Sequence, residues 1–467
     1  MFVVAAETVA PRRSTTIYPF LLFNTETSTV TKILIVGAGY AGFYTAWKLE
    51  KWLRSGEAEV TIVDPRPYMT YQPFLPEIAA GSIEARHAIV PLRSHLKKTH
   101  IIAGKVTAVN HKKKSATITP EDGAKYAMEY DHIVYTAGSV SRTFPIPGIA
   151  EKAIGLKTIE EAIYVRDRML NDFDKAAGLP PGPERDRLLT VVVIGGGFAG
   201  IEIFAELRSL ASAILKDYPE ITFDDTHFHL IEAMDRIMPE VSLKTSQWVL
   251  KNLAQRGAQV HLNTQLRSAA GGKIELSTGE SFDADLIIWT AGVMANPALG
   301  QTDFPLDERG RLRLQPDLRV ADDDGPLQGA WGAGDATAVP DLSGGGVGGY
   351  CVPNAQHAVR QAKHLAKNIT ADIRGEGVRD YIHYNLGVVA GLGLNIGVFQ
   401  SGKLVLTGYL AWLAHRGYHG LAMPTFERKV RVIWGWINNF FLGRDIASLT
   451  AYKTPRASFE EYAVRVR

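Results

Sequence analysis

Apolar and polar positions along the chain fall into two copies of one pattern. Lys32-Ile33-Leu34-Ile35-Val36 is short, β-rich and apolar, as a strand buried on both faces of a parallel sheet should be. A glycine turn follows, then a helical stretch over Phe43–Leu53 and a second strand over Glu59–Val63, ending in Asp64. The same order returns after Thr190: strand Val191–Ile194, glycine turn, helix Ile201–Leu215, strand His227–Ile231, then Glu232. Two βαβ units in one chain are the main internal repeat.

The rest of the chain is arranged around that repeat. Between the copies lies a β-rich piece with a polar loop at His111–Ser115, then strand Asp131–Tyr135 running into Thr136-Ala137-Gly138. The Pro/Gly-rich stretch Gly178–Pro183 reads as a linker. The second unit closes with Leu286–Trp289 and another Thr-Ala-Gly, Thr290-Ala291-Gly292, after which Gly332-Ala333-Gly334-Asp335 suggests a return to the first. The expected organisation is an extension over 1–30, a first domain over 31–180, an inserted domain over 185–295, the first domain again over 296–380, and a C-terminal region over 381–467. Within that last region the glycine-dense run Tyr384–Gly402 reads as paired strands and Phe426–Arg444 as a helix.

Composition narrows the function. The chain has 467 residues, 46% hydrophobic and 21% charged, with net charge +2, so nothing in it points to nucleic acid. Its one cysteine, Cys351, permits no internal disulfide, no CxxC pair and no thiolate cluster for zinc or iron–sulfur. Dithiol flavoenzymes, including relatives of glutathione reductase and thioredoxin reductase and the sulfide:quinone reductases, are excluded on that ground. The thirteen histidines lack metal-site spacing, and no metal is expected. Residues 1–30 carry Arg12 and Arg13 before an apolar stretch broken by Pro19, with no small-residue cleavage site. They read as a disordered tail or the product of an upstream start codon.

The glycine turns carry the chemistry. Gly37-Ala38-Gly39-Tyr40-Ala41-Gly42 matches GxGxxG between a strand and a helix, with Asp64 about 20 residues on to accept from ribose hydroxyls. Gly37 permits the turn, Gly39 lets backbone approach a pyrophosphate, Gly42 lets helix pack on strand, and the helix N-terminus favours phosphate. Gly195-Gly196-Gly197-Phe198-Ala199-Gly200 repeats this, with Glu232 about 30 residues on. A carboxylate there suits the 2′-hydroxyl of NADH and repels a 2′-phosphate; Arg236 is the one nearby feature that suits NADPH. Two cradles imply two nucleotides, and the economical pair is FAD in the first and NADH in the second. The fold class is therefore α/β with two Rossmann-like dinucleotide-binding domains, the FAD domain discontinuous and the NADH domain inserted.

The succession GAGYAG, TAG, GGGFAG, TAG, GAGDA resembles the two-dinucleotide flavoprotein superfamily. Pro67-Tyr68, Gln72–Glu77, Pro91-Leu92-Arg93, Gly200-Ile201-Glu202 with Ala205-Glu206-Leu207, and Pro353–Ala358 narrow the resemblance to type II, non-proton-pumping NADH:quinone oxidoreductases, over roughly residues 31–450. That resemblance implies hydride transfer from NADH to flavin and delivery of two electrons to a membrane quinone. It implies that Gly37, Gly39, Gly42, Asp64, Ala137, Gly138, Gly334 and Asp335 hold FAD, with Asp335 on the ribityl chain. Gly195, Gly197, Gly200, Glu232 and Gly292 would hold NADH. Glu202 would sit near nicotinamide and flavin as a catalytic residue, and Ala355 and Gln356 would line the quinone side, Gln356 also catalytic. From the residues alone, Glu202 falls in the first turn of its helix, where the dipole favours a carboxylate, so helix-end stabilisation is the competing reading.

Two departures fall on the acceptor side. The family's Ala-Gln-x-Ala-x-Gln here has Arg360 in the last slot, followed by Gln361, and His383–Val398 carries Asn385, Leu394 and Ile396 where relatives often place charge. A soluble acceptor, or a non-turnover redox-sensing flavoprotein, is the alternative reading. On the helix over Phe426–Arg444, Val430, Ile433, Trp434, Ile437, Phe440 and Phe441 share one face, flanked by Arg428, Lys429, Arg431 and Arg444. Such a helix suits a lipid bilayer surface, with Tyr409, Trp412, His415, Tyr418 and His419 as further interfacial residues; packing on its own domain or a dimer partner is the alternative. No segment reads as a transmembrane helix. The expectation is a peripheral homodimer on the cytoplasmic face of the cell membrane. Cys351 is either a packed thiol or a group near the flavin.

Overall fold

The computed structural model describes residues 30–383, 386–448, 456 and 460; the N-terminal extension through residue 29 and Asn385 lie outside the described residues. Thr31–Val36 buries four consecutive side chains, Ile33 to Val36, because it is flanked in parallel by Ala58–Asp64 and His132–Tyr135 and covered on both faces. The sheet around it has eight strands in the order Arg319–Ala321, Pro326–Gly332, His132–Tyr135, Thr31–Val36, Ala58–Asp64, His100–Asn110, Ser115–Pro120, Tyr126–Glu129. Strands from both ends of the chain share it, so this domain is discontinuous. Helix α1 (Tyr40–Trp52) starts inside the glycine motif, at Tyr40 rather than Phe43, because extended Gly39 is its N-cap. A short helix, α2 (Leu75–Ala79), is wholly buried, and α3 (Ile159–Ala177) opens on a capping box between Thr158 and Glu161.

A second sheet is built from the inserted segment together with one strand that precedes it, Ala153–Ile154, so this unit begins before residue 185. Its five strands run Ala153–Ile154, Leu286–Trp289, Thr190–Ile194, His227–Ile231, Ala258–His261, all parallel. Helix α4 (Phe198–Ile214) again starts within its glycine motif, at Phe198 rather than Ile201. Helix α5 (Ala355–Ile373) returns to the first sheet and turns Ala358, Ala362, Leu365 and Ile369 inward at helical spacing.

The C-terminal region is a three-stranded antiparallel sheet, Val388–Gly391, Gly397–Ser401 and Leu404–Thr407, followed by α6 (Tyr409–Ala422) and α7 (Phe426–Leu442). Polar contacts fasten it to both nucleotide units. Trp436 Nε1 donates to Glu77 of α2 at 2.9 Å, while Arg444 donates to Ala80 O at 3.1 Å and to Ser209 Oγ of α4 at 3.0 Å. The expectation that Arg444 faces lipid is therefore corrected: its side chain is buried and pairs with Glu206 at 3.4 Å. His415 and His419 also point inward rather than to an interface, because α6 packs that edge against α2 and the C-terminal sheet. No helix among the described residues is long and apolar enough to cross a membrane.

Candidate active site

The two glycine loops are built alike to the level of single hydrogen bonds. Gly37 and Gly195 have φ of +92° and +108°, a conformation that favours glycine. A Cβ on Gly42 would lie 1.9 Å from Gly37 O, and one on Gly200 would lie 1.9 Å from Gly195 O, so only glycine lets each helix close on its strand. At Gly39 and Gly197, by contrast, a Cβ would meet nothing within 4 Å. That open space beside a helix N-terminus is where a pyrophosphate fits, so the residues present suit a dinucleotide in each loop.

Threonines of the two Thr-Ala-Gly segments latch these loops. Thr136 Oγ1 donates to Val36 O and Gly37 O, both at 2.9 Å; Thr290 Oγ1 is within bonding distance of Ile194 O and Gly195 O, at 2.8 and 3.1 Å. This latch was missed in the sequence, although the repetition of Thr-Ala-Gly after a closing strand was its visible signal. Gly138 and Gly292 turn the chain away with φ of +67° and +120°. Asn296 anchors to Ala137 O at 3.2 Å and to Gly138 O at 3.1 Å.

Both strand-end acids face their loops. Asp64 accepts from the N–H of Ala38 at 2.6 Å and of Arg66 at 2.7 Å; Glu232 accepts from Gly196 at 2.5 Å and Met234 at 2.7 Å. Burial raises the Asp64 pKa even against those backbone bonds. Arg236 is turned to its own loop, donating to Val241 O at 2.5 Å.

Around Gly334 and Asp335 the chain gathers further polar groups. Gly334 N donates to Gln361 Oε1 at 2.8 Å, and Asp335 accepts from Ser139 Oγ at 2.8 Å with Lys157 Nζ at 3.7 Å. This explains the departure at the end of the Ala-Gln motif. On α5, position 361 faces Gly334, whereas Arg360 faces away, 2.7 Å from His383 Nδ1. Ser139 and Lys157 escaped the sequence reading because they come from separate segments, and Gln361 was noted only as the residue following Arg360. Cys351 lines a small cavity beside Gly334, Asp335 and His357, and burial pushes its thiol up to about 11.

Glu202 and Gln356 meet the same C-terminal segment, residues 387–391, from different domains. Gly391 N donates to Glu202 Oε1 at 3.1 Å, and Gln356 Nε2 donates to Gly387 O at 3.3 Å. Ala355 is the first residue of α5, behind the Asn354 cap. Because α4 begins at Phe198, Glu202 lies beyond the first turn, which correctly holds no acid; its partners are Gly391 and His415 Nε2, 3.6 Å away. Helix-end stabilisation does not account for it. Elsewhere, neighbouring strands bring His229 and His261 together, their ring nitrogens 3.1 Å apart, with Glu280 close by. Burial and the two neighbouring histidines hold His229 down to about 3.

With these loops in view, the family model described as pyridine nucleotide-disulphide oxidoreductase matches residues 31–362. The chain belongs to the pyridine nucleotide-disulphide oxidoreductase family. Membership of that family rests on the nucleotide folds and not on the disulphide in its name, since this member has one cysteine. It is 26% identical to a probable NADH dehydrogenase of Dictyostelium discoideum, covering 89% of this chain and 91% of the relative. It is also 26% identical to a type II NADH:quinone oxidoreductase of Mycobacterium tuberculosis, covering 88% and 87%. Among solved structures, NDH2 from Plasmodium falciparum in complex with NADH superimposes with a TM-score of 0.82 at 19% identity, covering 89% of this chain and 99% of that one. These relatives carry the names that the sequence resemblance implied.

Proposed function

We propose that this family member is an FAD-dependent NADH dehydrogenase that passes hydride from NADH to flavin and two electrons on to a membrane quinone, without pumping protons. The observation that carries the reading is the paired construction of the loops: two openings beside helix N-termini, each with its own strand-end acid and threonine latch. Bound FAD supplies the hydride acceptance and the two-electron delivery; the protein supplies placement and electrostatics. Gly37, Gly39, Gly42 and Asp64 would hold the FAD adenosine and pyrophosphate, with Ala137, Gly138, Gly334 and Asp335 along its flavin half. Gly195, Gly197, Gly200, Glu232 and Gly292 would hold NADH. Arg236 is occupied by carbonyls of its own loop, which favours NADH over NADPH. Glu202 and Gln356 would flank the reacting rings, their distance from each other fixed by residues 387–391.

The bilayer surface is the place to find that quinone. Val430, Ile433, Trp434, Ile437, Phe440 and Phe441 are 42–81% exposed on α7, joined by Leu410, Leu413 and Leu421 of α6. A contiguous apolar face of this kind suits insertion into a headgroup layer. Peripheral attachment on the cytoplasmic face, and a homodimer, belong to the same proposal; light scattering of the purified protein tests the latter. NADH oxidation should be faster with a short-chain quinone than with ferricyanide and should rise when lipid vesicles are added. Turnover with ferricyanide alone, indifferent to quinone and lipid, would overturn the reading in favour of a soluble acceptor.

A further inference from the structure

Where α6 meets α2 and α4 the structure buries a histidine between carboxylates from two different domains. His415 is 3% exposed. Its Nε2 lies 3.6 Å from Glu202 of α4 and its Nδ1 lies 3.9 Å from Glu77 of α2. Both distances are ion-pair contacts rather than hydrogen bonds, so what passes between these groups is charge. Gly391 makes the arrangement possible twice over. Its N–H fixes the Glu202 carboxylate, and a Cβ added to it would stand 3.3 Å from His415 Cε1.

The surrounding charges bias the ring toward its protonated form. Facing it are Glu77 from α2, Glu202 and Glu206 from α4, Arg416 and His419 from its own helix, and Arg444 from the segment after α7. Arg444 is paired with Glu206, and Arg416 lies 3.7 Å from Glu77. His419 is itself pushed well down by burial and by His415, and lies 3.0 Å from the Tyr71 hydroxyl, which leaves His415 as the ring where the carboxylates favour a positive charge. Burial opposes that charge on His415, yet the three glutamates raise its pKa.

We propose that His415 is the positioning residue for Glu202: held between Glu202 and Glu77, it keeps the Glu202 carboxylate against Gly391 of the C-terminal sheet. This rests on the proposed function only in giving Glu202 a part in turnover. Only the Glu202 end of the pair reaches solvent, with a side chain 16% exposed against 4% for His415. His415 thus touches no substrate and acts through Glu202.

The test uses the flavin-loaded full chain and follows reoxidation of the NADH-reduced enzyme by a short-chain quinone across pH. His415→Gln should slow reoxidation about tenfold and change its pH profile, because Glu202 loses the titratable group that holds it. His415→Lys, a fixed cation, should restore the rate. Glu77→Gln, which removes the rear carboxylate, should shift the alkaline limb down as the imidazolium loses its proton sooner. A folded His415→Gln variant with the unmodified pH profile would overturn the proposal; should it not fold, an unmoved alkaline limb in Glu77→Gln would do the same. Failure of NADH to reduce the flavin in the unmodified chain would instead defeat the proposed function, which keeps the two apart.

Discussion

Glu232 accepts a hydrogen bond from the backbone N–H of Gly196 at 2.5 Å, so the acid at the end of one strand closes the glycine turn at the end of its neighbour. Asp64 and Ala38 repeat the bond at 2.6 Å in the first domain. These acids therefore shape the cradle as well as facing the ribose. Glu232→Gln can satisfy Gly196 or Met234 with its single carbonyl but not both, and it removes the charge that repels a 2′-phosphate. The KM for NADH should rise roughly tenfold, about 1.4 kcal/mol, while the KM for NADPH rises less. Steady-state kinetics with both nucleotides check this.

The glycines of one motif should divide into two kinds. Gly200→Ala drives a Cβ to 1.9 Å from Gly195 O and should break the loop itself, lowering thermal stability together with NADH binding. Gly197→Ala meets nothing within 4 Å and should leave the melting temperature unchanged while still weakening NADH binding, because it fills the opening. In both variants flavin should stay bound to the other domain. Calorimetric melting and NADH titration of the purified variants separate the cases.

Much of this was legible in the chain, for physical reasons. Strands buried on both faces, Ile33–Val36 and Val191–Ile194, must be continuously apolar, and glycine loops need glycine at fixed spacing, so both cradles could be read directly. The inward face of α7 was harder. Trp436 and Arg444 sit close in sequence to Trp434 and Phe440, yet the first two are tied to Glu77 and Glu206 while the others are exposed. Which side chains on α7 and just beyond it turn inward depends on carboxylates more than two hundred residues away, and helical spacing alone does not contain that information. His415 was read as interfacial for the same reason, since Glu77, Glu202 and Gly391 reach it from separate segments. Arg360 and Gln361 show the converse: the departure was plain in the sequence, but only the helix phase reveals that Gln361 takes the inward place.

Exposed aromatics on α7 should carry membrane attachment without touching the chemistry. Replacing Trp434, Phe440 and Phe441 with serine should release the protein from anionic lipid vesicles in flotation assays, at least tenfold in partition. Ferricyanide-coupled NADH oxidation should be unchanged. Retained vesicle binding in the triple variant would place the attachment elsewhere.

Asp172 gives the fold a pH signature. It is 1% exposed on α3, and burial, with the nearby Asp285 carboxylate, raises it to about 7; Arg168 at 3.2 Å offsets this only in part. A carboxyl raised above its unfolded pKa contributes stability that is fully present below about pH 4 and is lost as pH climbs to about 7. Asp172→Asn removes that loss. Its melting temperature should exceed the unmodified protein's by roughly 2 °C or more at pH 8, with a smaller difference at pH 5. Equal differences at the two pH values would show that Asp172 does not titrate in this range.

Everything proposed for the chemistry requires a nicotinamide in the second cradle to reach a flavin held by the first. Rapid mixing of NADH with the flavin-loaded protein, followed at the flavin absorbance band, measures that step directly. Fast bleaching in the unmodified chain, together with its loss in Gly200→Ala at unchanged flavin content, is the predicted result. A protein that takes up no flavin, or whose bound flavin is untouched by NADH, would contradict the account.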